Sequence, residues 1–127
     1  MSKVQTFFLC ETCGNLVGMV YNAGIELYCC GKPMKELKPN TTDAAQEKHV
    51  PVVSVSGNTC KISVGSTPHP MTEEHLISWI YLKTERGGQR KNLEAGEAPE
   101  LVFSVIDDKA IAAYAYCNLH GLWVTEI

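Results

Sequence analysis

Four cysteines near the amino terminus constrain this chain more than any other feature. Cys10 and Cys13 are two residues apart, and the adjacent pair Cys29 and Cys30 follows further along. Two thiolate pairs about 15 residues apart in the chain can place four sulfurs around one tetrahedral metal ion. The surrounding segment, residues 1–37, has so few apolar residues that a bound metal must supply much of its folding free energy. The alternative is four cysteines that are simply buried or paired in disulfides.

The identity of this metal is left open by the ligands, because tetrahedral sulfur sites accept zinc and iron alike. The adjacent pair Cys29-Cys30 differs from a Cys-x-x-Cys turn, because two neighbouring residues cannot form the same symmetrical loop. We therefore expect one side of the site to be distorted.

Composition narrows the class of protein. The 127 residues carry a net charge of −3, with 45% hydrophobic and 20% charged residues, which is typical of a globular protein. A negative chain without a cluster of Lys and Arg does not suit non-specific binding of nucleic acid. The sequence shows neither a signal peptide nor a run of about 18 apolar residues, so we expect a cytoplasmic protein without a membrane span. In that compartment metal ligation explains the six cysteines better than disulfides do.

The rest of the chain predicts an all-β protein. A polar, turn-forming stretch at residues 38–43 divides a small cysteine-rich head, residues 1–37, from a second domain, residues 38–127. Short apolar and β-branched runs separated by turn residues predict an antiparallel β-sandwich for the second domain. The predicted strands are 50–55, 61–64, 77–84, 101–106, 111–116 and 122–126.

Turns and one helix complete the prediction. Gly57-Asn58 and Gly87-Gly88 lie between apolar runs, and both pairs suit hairpin turns that need positive φ. A single helical turn is expected at residues 43–48, with Asp43 as its cap. Tyr114 and Tyr116 alternate with alanines, which predicts a strand with one aromatic face and one small face.

All four histidines lie outside the head, in three groups that include one further cysteine. Prolines on both sides of His69 fix its backbone, and Cys117 and His120 have a spacing that lets one turn supply two ligands. Five such donors exceed the number that a structural zinc site uses, and they leave a sixth octahedral position open. This favours a redox-active iron that binds a small oxygen species. The five candidate ligands are His49, His69, His75, Cys117 and His120.

Three segments around these ligands resemble superoxide reductases: Glu47-Lys48-His49-Val50-Pro51, His69-Pro70-Met71 with His75, and Tyr116-Cys117-Asn118-Leu119-His120-Gly121. The head resembles desulforedoxin, and the whole chain is similar to the desulfoferrodoxin family. The resemblance implies an electron-transfer iron held by four cysteines in the head. It also implies an immunoglobulin-like, neelaredoxin-like sandwich with a second, non-haem iron. In that second centre the four histidines are equatorial ligands and Cys117 is the axial one.

The function implied by this resemblance is reduction of superoxide to hydrogen peroxide without release of dioxygen, as a detoxification reaction. It further implies a homodimer and a rubredoxin-like electron donor. Lys48, a compact cation, is expected to attract superoxide and to order water for proton delivery. Glu47 is implied to close the sixth position when no substrate is present. Cys60 matches no ligand set and is expected to be a free, partly buried thiol.

Three other functions are compatible with the residues alone. The chain can be an iron-binding electron-transfer or storage protein without superoxide activity. It can be a binding module made of a zinc ribbon and a β-sandwich. Within the enzyme class, dismutation of superoxide is a further alternative that the ligand spacing does not exclude.

Overall fold

The computed structural model describes residues 5–127, in which the regular secondary structure is β apart from one helical turn. The chain divides into two compact units, Met1–Lys38 and Pro39–Ile127. The predicted fold class, an all-β chain with a cysteine-bearing head and a β-sandwich, is confirmed. Within the described part of the chain, no helix has the length and apolar character needed to cross a bilayer.

The first unit contains five short strands. The central strand of its three-stranded antiparallel sheet buries Phe7, and two further strands of two residues each form a separate hairpin. The sheet order is β2-β1-β5, and the hairpin is β3-β4. The strands are β1 (Phe7–Leu9), β2 (Leu16–Gly18), β3 (Tyr28–Cys29), β4 (Lys32–Pro33) and β5 (Lys35–Glu36).

The second unit contains two antiparallel sheets, one of three strands and one of four. Their orders are β10-β7-β6 and β12-β11-β8-β9. A single helical turn, α1 (Gln46–His49), precedes the first of these strands. The strands are β6 (Pro51–Ser56), β7 (Thr59–Val64), β8 (Ile77–Thr84), β9 (Gly87–Asn92), β10 (Glu100–Ser104), β11 (Ala110–Cys117) and β12 (Gly121–Glu126).

The core of the second unit lies between the inner faces of its sheets. On β7 the side chains of Cys60, Ile62 and Val64 are buried, whereas Thr59 and Lys61 between them are exposed, as a half-buried strand requires. Cys60 is therefore fully buried rather than partly buried, and its thiol is free. The other fully buried core residues are Ile77, Ile80, Leu82, Phe103, Ala113, Ala115 and Cys117.

The alternation along β11 separates small residues from aromatic ones, as predicted. The alanines belong to the core, whereas the tyrosines pair with aromatic residues of β8. Tyr116 stacks on Trp79 with ring centroids 5.5 Å apart, and Tyr114 meets Tyr81 edge to face at 6.2 Å. These cross-strand pairs stabilise the register that carries the end of β11 to Cys117.

The expected turn at Gly57-Asn58 joins β6 to β7, but the expected turn at Gly87-Gly88 is wrong. The β8–β9 turn uses Glu85 and Arg86, because Thr84 pairs with Gly87 and both glycines belong to β9. At Gly88 an added Cβ would collide with the side chain of Tyr81, so glycine is needed for close packing. The whole of β9 was missed because its side chains are polar and carry no hydrophobic pattern.

The helical turn predicted at residues 43–48 starts three residues before the observed one and ends one residue before it. The observed turn spans Gln46–His49, and its N-terminal flanking residue is Ala45, with no side-chain cap. Asp43 is therefore not the cap. Contacts from another segment stabilise the turn instead, because the backbone N–H of Thr67 and the hydroxyl of Ser66 both donate to the Glu47 carbonyl, at 2.9 and 3.3 Å.

Candidate metal centres

The cysteine cluster (Cys10, Cys13, Cys29 and Cys30) brings four thiol sulfurs within 4.8 Å of one another. The Sγ atoms of Cys13 and Cys29 are 3.6 Å apart, and all four thiols are free. A disulfide requires about 2.05 Å, whereas metal–sulfur bonds of about 2.3 Å in a tetrahedron separate the sulfurs by about 3.8 Å. The spacing therefore fits a tetrahedral metal ion.

The first cysteine pair lies on a tight loop between β1 and β2. The N–H of Gly14 donates to the carbonyl of Cys10, and the N–H of Cys10 donates to the carbonyl of Asn15, both at 2.8 Å. The N–H of Cys13 points to the Cys10 sulfur at 3.5 Å, and this hydrogen bond is the main cause that lowers the pKa of Cys10 to about 6. The loop thus favours the thiolate form of Cys10, which is the form that binds metal.

The second pair lies on the β3–β4 hairpin. Cys29 ends β3, and the two turn residues Cys30 and Gly31 both have positive φ, 54° and 74°. Two positive φ values are the signature of a type I′ turn. Neighbouring side chains of an extended strand point to opposite faces, so the left-handed conformation of Cys30 is what turns its sulfur toward the same site. The cysteine cluster is therefore asymmetric, as the adjacent positions of Cys29 and Cys30 in the sequence predicted.

The thiols of this second pair resist ionisation in the absence of a cation. Hydrogen bonding with Cys13 is the first cause that raises the pKa of Cys29 and raises the pKa of Cys30 to about 12. Four thiolates at these distances repel one another unless a positive ion lies between them. The chemistry of the cluster therefore fits a metal cation.

The histidine cluster lies at one end of the second unit and combines three separate segments. Donor atoms of His49, His69, His75 and Cys117 lie within 4.8 Å of one another. His120 joins them, because its Nδ1 is 3.1 Å from Nε2 of His49 and 3.9 Å from the sulfur of Cys117. Helix α1 supplies His49, the loop between β7 and β8 supplies His69 and His75, and the end of β11 with the following turn supplies Cys117 and His120.

The four imidazoles form a closed ring of neighbours. Successive ring centroids are 4.7 Å apart for His49 and His69, 4.7 Å for His69 and His75, 5.1 Å for His75 and His120, and 4.9 Å for His120 and His49. Adjacent rings are nearly perpendicular, at 76° to 88°. His49 and His75, across the ring, are 6.4 Å apart. The four rings thus surround a common point, where they could hold one metal ion.

Two of these imidazoles point lone pairs at each other. Nδ1 of His49 lies 2.7 Å from the carbonyl of Ala45, and Nδ1 of His69 lies 2.6 Å from the carbonyl of Pro70. A carbonyl only accepts, so each Nδ1 carries the hydrogen and each Nε2 keeps a lone pair in the neutral ring. The two Nε2 atoms are nevertheless only 3.2 Å apart. Such a contact is repulsive unless a cation lies beside it.

Burial keeps the imidazoles neutral, which is the form that binds metal. Desolvation lowers the pKa of His69 to about 4, and it is also the first cause that lowers the pKa of His49 and of His75. Nε2 of His75 is buried and has no hydrogen-bond partner within residues 5–127. A buried polar atom without a partner is costly, and a metal ion would satisfy it.

Cys117 closes the cluster on the side of the core. Its side chain is fully buried, and this burial raises the pKa of the thiol. Hydrogen bonds from the backbone N–H groups of Leu119 and His120 act in the opposite direction, because they stabilise the thiolate. His75 and His120 are only partly buried, so the side of the histidine cluster that these two residues form reaches solvent. The cluster therefore has one protected thiol face and an accessible rim.

Glu47 and Lys48 are both exposed and immediately precede His49 on α1. The Lys48 charge is close enough to contribute to the lowered pKa of both His49 and His75, after the larger effects of burial and of neighbouring histidines. Glu47 acts on the pKa of His49 in the opposite direction. Neither side chain makes an ion pair with any residue that the structure describes.

Sequence reasoning missed Trp123. Its indole stacks on His49 with centroids 4.9 Å apart, and its Nε1–H donates to the carbonyl of His120 at 3.2 Å. One buried side chain thus orients two of the five candidate ligands. The only signal in the sequence was the position of this tryptophan three residues after His120, which does not show that its ring returns to the site.

Two family models match the chain. The one described as desulfoferrodoxin covers residues 41–126, and the one described as desulfoferrodoxin, N-terminal domain, covers residues 2–37. The desulfoferrodoxin of Nitratidesulfovibrio vulgaris is 46% identical over 126 residues, which are 99% of each chain.

Solved structures of superoxide reductases are also similar to this chain. The superoxide reductase from Treponema pallidum matches with a TM-score of 0.82 and 43% identity, over 97% of this chain and 99% of that one. The superoxide reductase (1Fe-SOR) from Giardia intestinalis is 39% identical, with a TM-score of 0.56, and covers 64% of this chain and 97% of that one. The resemblance drawn from the three histidine-bearing segments and the cysteine head is thereby confirmed.

Proposed function

The chain belongs to the desulfoferrodoxin family, and we propose that it is a superoxide reductase that converts superoxide to hydrogen peroxide without releasing dioxygen. The observation that carries the proposal is the histidine cluster, in which four imidazoles encircle one point and a buried thiol closes one side. Relatives whose names include superoxide reductase support the same activity. An electron-transfer protein without superoxide activity is less favoured, because it needs no such five-donor cluster.

The proposal assigns two iron ions to each chain. The cysteine cluster holds one as an Fe(Cys)4 centre, and the histidine cluster holds the other as an Fe(His)4(Cys) centre. When bound in the ferrous state, the second iron supplies the single electron that superoxide receives. Superoxide, one electron and two protons give one hydrogen peroxide, so the oxidised centre needs an electron from outside the chain. A rubredoxin-like protein is the proposed donor.

Lys48 is proposed to bring the anionic substrate to the accessible rim and to order the water that delivers protons. Its exposure and its electrostatic effect on His49 and His75 support this role. We expect Lys48→Met to lower the second-order rate constant about tenfold at low salt, because cationic sites raise the association rates of anions by such factors. Lys109→Met is the matched control. Lys109 is also exposed, but it lies just before the first residue of β11, whereas Cys117 is the last residue of that strand. Equal rates in the two variants would remove Lys48 from the proposal.

Glu47 is proposed to present its carboxylate to the open side of the cluster when no substrate is present. Its position two residues before His49, on the same helical turn, supports this role. A Glu47→Ala protein whose oxidised spectrum matched that of the unaltered chain would exclude it.

Product stoichiometry tests the activity itself. Anaerobically reduced protein receives a defined amount of superoxide, and peroxide and dioxygen are assayed together. One peroxide per superoxide, without protein-dependent dioxygen, is the expected result. Dioxygen at half the superoxide would mean dismutation, and no acceleration over buffer would contradict the proposal. His75→Ala is expected to abolish consumption while leaving the spectrum of the cysteine cluster unchanged.

The proposal also includes the domain bounds, the cellular compartment and the oligomeric state. Residues 1–37 form the iron-bearing head and residues 38–127 the reductase domain, in a detoxification protein of the cytoplasm. Free thiols throughout the chain support a reducing compartment. A homodimer is supported by four exposed large apolar side chains in the head, which a second copy would cover: Val20, Tyr21, Ile25 and Tyr28.

A further inference from the structure

His75 is held differently from His49 and His69, two other candidate ligands of the histidine cluster. The rings of His49 and His69 are oriented by the carbonyls of Ala45 and Pro70, which accept their Nδ1–H groups. Within residues 5–127 the buried Nε2 of His75 has no hydrogen-bond partner. Its ring packs edge to face against the rings of His69 and His120, so the place of His75 is set by these contacts and by its backbone.

The backbone on both sides of His75 is fixed by the side chain of Asn118. Its amide nitrogen Nδ2 donates to the carbonyl of Glu74 at 3.0 Å, and its Oδ1 accepts the N–H of Leu76 at 3.0 Å. The backbone N–H of Asn118 also donates to the carbonyl of Leu76, at 3.2 Å. One residue thus holds the peptide groups before and after the ligand.

Asn118 links His75 to the thiol ligand because of its place in the chain. It directly follows Cys117, so the peptide groups around His75 are bonded to the neighbour of the buried thiol ligand. Thr72 also supports His75, but from within the same loop: paired backbone hydrogen bonds join the two residues at 2.9 and 3.2 Å, and the Thr72 hydroxyl donates to the His75 carbonyl and accepts its N–H at 3.2 and 3.1 Å. Asn118 is the described residue that ties this loop to the β11–β12 turn by its side chain.

We propose that Asn118 is a positioning residue that sets the place of His75 relative to Cys117, and thereby the iron affinity of the histidine cluster. The inference rests on the proposed iron site. Residues that position a ligand without binding the metal typically change metal affinity 10- to 100-fold when they are removed.

Asn118→Ala tests the proposal against a matched control in the same unit. Asn40 is also exposed, and its amide makes the same pair of bonds, to the carbonyl and N–H of Val124 at 3.1 and 2.9 Å. Val124 is not a candidate ligand. The full-length, iron-loaded chains are titrated with a chelator, and iron loss is followed separately at the two clusters by visible absorption. The thermal unfolding of each metal-free protein is measured in parallel.

The expected result is about 10- to 100-fold weaker iron binding at the histidine cluster in Asn118→Ala, with the cysteine cluster unchanged. Asn40→Ala should bind iron as the unaltered chain does, even where its metal-free form melts as early as that of Asn118→Ala. Unchanged affinity in Asn118→Ala, or equal losses in the two variants, would overturn the inference. An unaltered chain that binds no iron at the histidine cluster would instead overturn the proposed function, and this inference with it.

Discussion

His69 shows how one buried side chain links metal binding to stability. Its ring is almost fully buried, and its Nδ1–H is used by the Pro70 carbonyl, so only a neutral ring leaves Nε2 free to bind. Burial lowers its pKa from 6.5 to about 4. The folded metal-free protein therefore stays unprotonated at a pH where the unfolded chain already takes up a proton.

From this difference we predict a loss of stability of the metal-free protein in acid. The contribution of His69 is fully present above pH 6.5 and is lost as the pH falls toward about 4, by about 3 kcal/mol in total. Urea unfolding at a series of pH values measures this loss. His69→Gln should flatten the profile across the same interval. A profile equally steep in that variant would show that other groups cause it.

At this scale the sequence predicted which residues meet, but not how they are oriented. Four histidines in three segments, together with one cysteine, were sufficient to predict the histidine cluster. The tautomers depend on carbonyls of Ala45 and Pro70, and every residue has a carbonyl, so no sequence signal distinguishes these two. The stacking of Trp123 on His49 depends in the same way on tertiary packing.

Helix α1 is a short element whose position depends on a neighbouring loop. Gly65 lies against its backbone so closely that an added Cβ would be 2.5 Å from the carbonyl oxygen of Glu47 and 2.9 Å from the carbonyl carbon of Lys48. The same loop supplies the donors to the Glu47 carbonyl and leads directly to His69. Glycine at this point therefore sets the separation of two ligand-bearing segments.

We predict that Gly65→Ala displaces the turn that carries Glu47, Lys48 and His49. The variant should lose about 1 to 3 kcal/mol of stability, as overpacked sites do, and should bind iron more weakly at the histidine cluster. Gly57→Ala is the control, because a Cβ there meets open space and the change costs only the strain of a positive φ. Denaturant unfolding and chelator titration measure the two effects. Iron affinity that falls equally in both variants would contradict this account.

Elements with a hydrophobic pattern were predicted well, and polar ones were not. β8 and β11 are rich in apolar residues and largely buried, so their extents were predicted within a residue at each end. β9 consists of Gly-Gly-Gln-Arg-Lys-Asn and forms because it pairs with β8. The single turn of α1 is stabilised from outside, so local capping signals misplaced it.

Across the whole molecule, the two compact units differ in what stabilises them. The second unit buries a contiguous set of large apolar side chains, including Phe103, Ile80 and Leu82, whereas Phe7 and Cys10 are the buried hydrophobic residues described in the first. A core that small does not normally support a fold without a metal or another covalent or coordinate constraint. The first unit therefore depends on its ion and the second mainly on its core.

This contrast predicts different outcomes for the two units made separately. A chain of Pro39–Ile127 should fold without metal and keep a cooperative thermal transition. A chain of Met1–Lys38 should show strand signals in circular dichroism only when iron or zinc is added. Metal-free Met1–Lys38 with a cooperative transition of its own would contradict the prediction, as would an unfolded Pro39–Ile127.

The closed ring of imidazoles has a mechanical consequence for the loaded protein. His49 and His120 are 71 residues apart in the chain, and an ion that binds both fastens these points together as a crosslink would. If the two ends of the protein are pulled apart, the intervening chain stays shielded from the force until a coordinate bond ruptures. Optical tweezers should then record a late extension of roughly 240 Å, at about 3.4 Å per residue, that vanishes when the ion is removed.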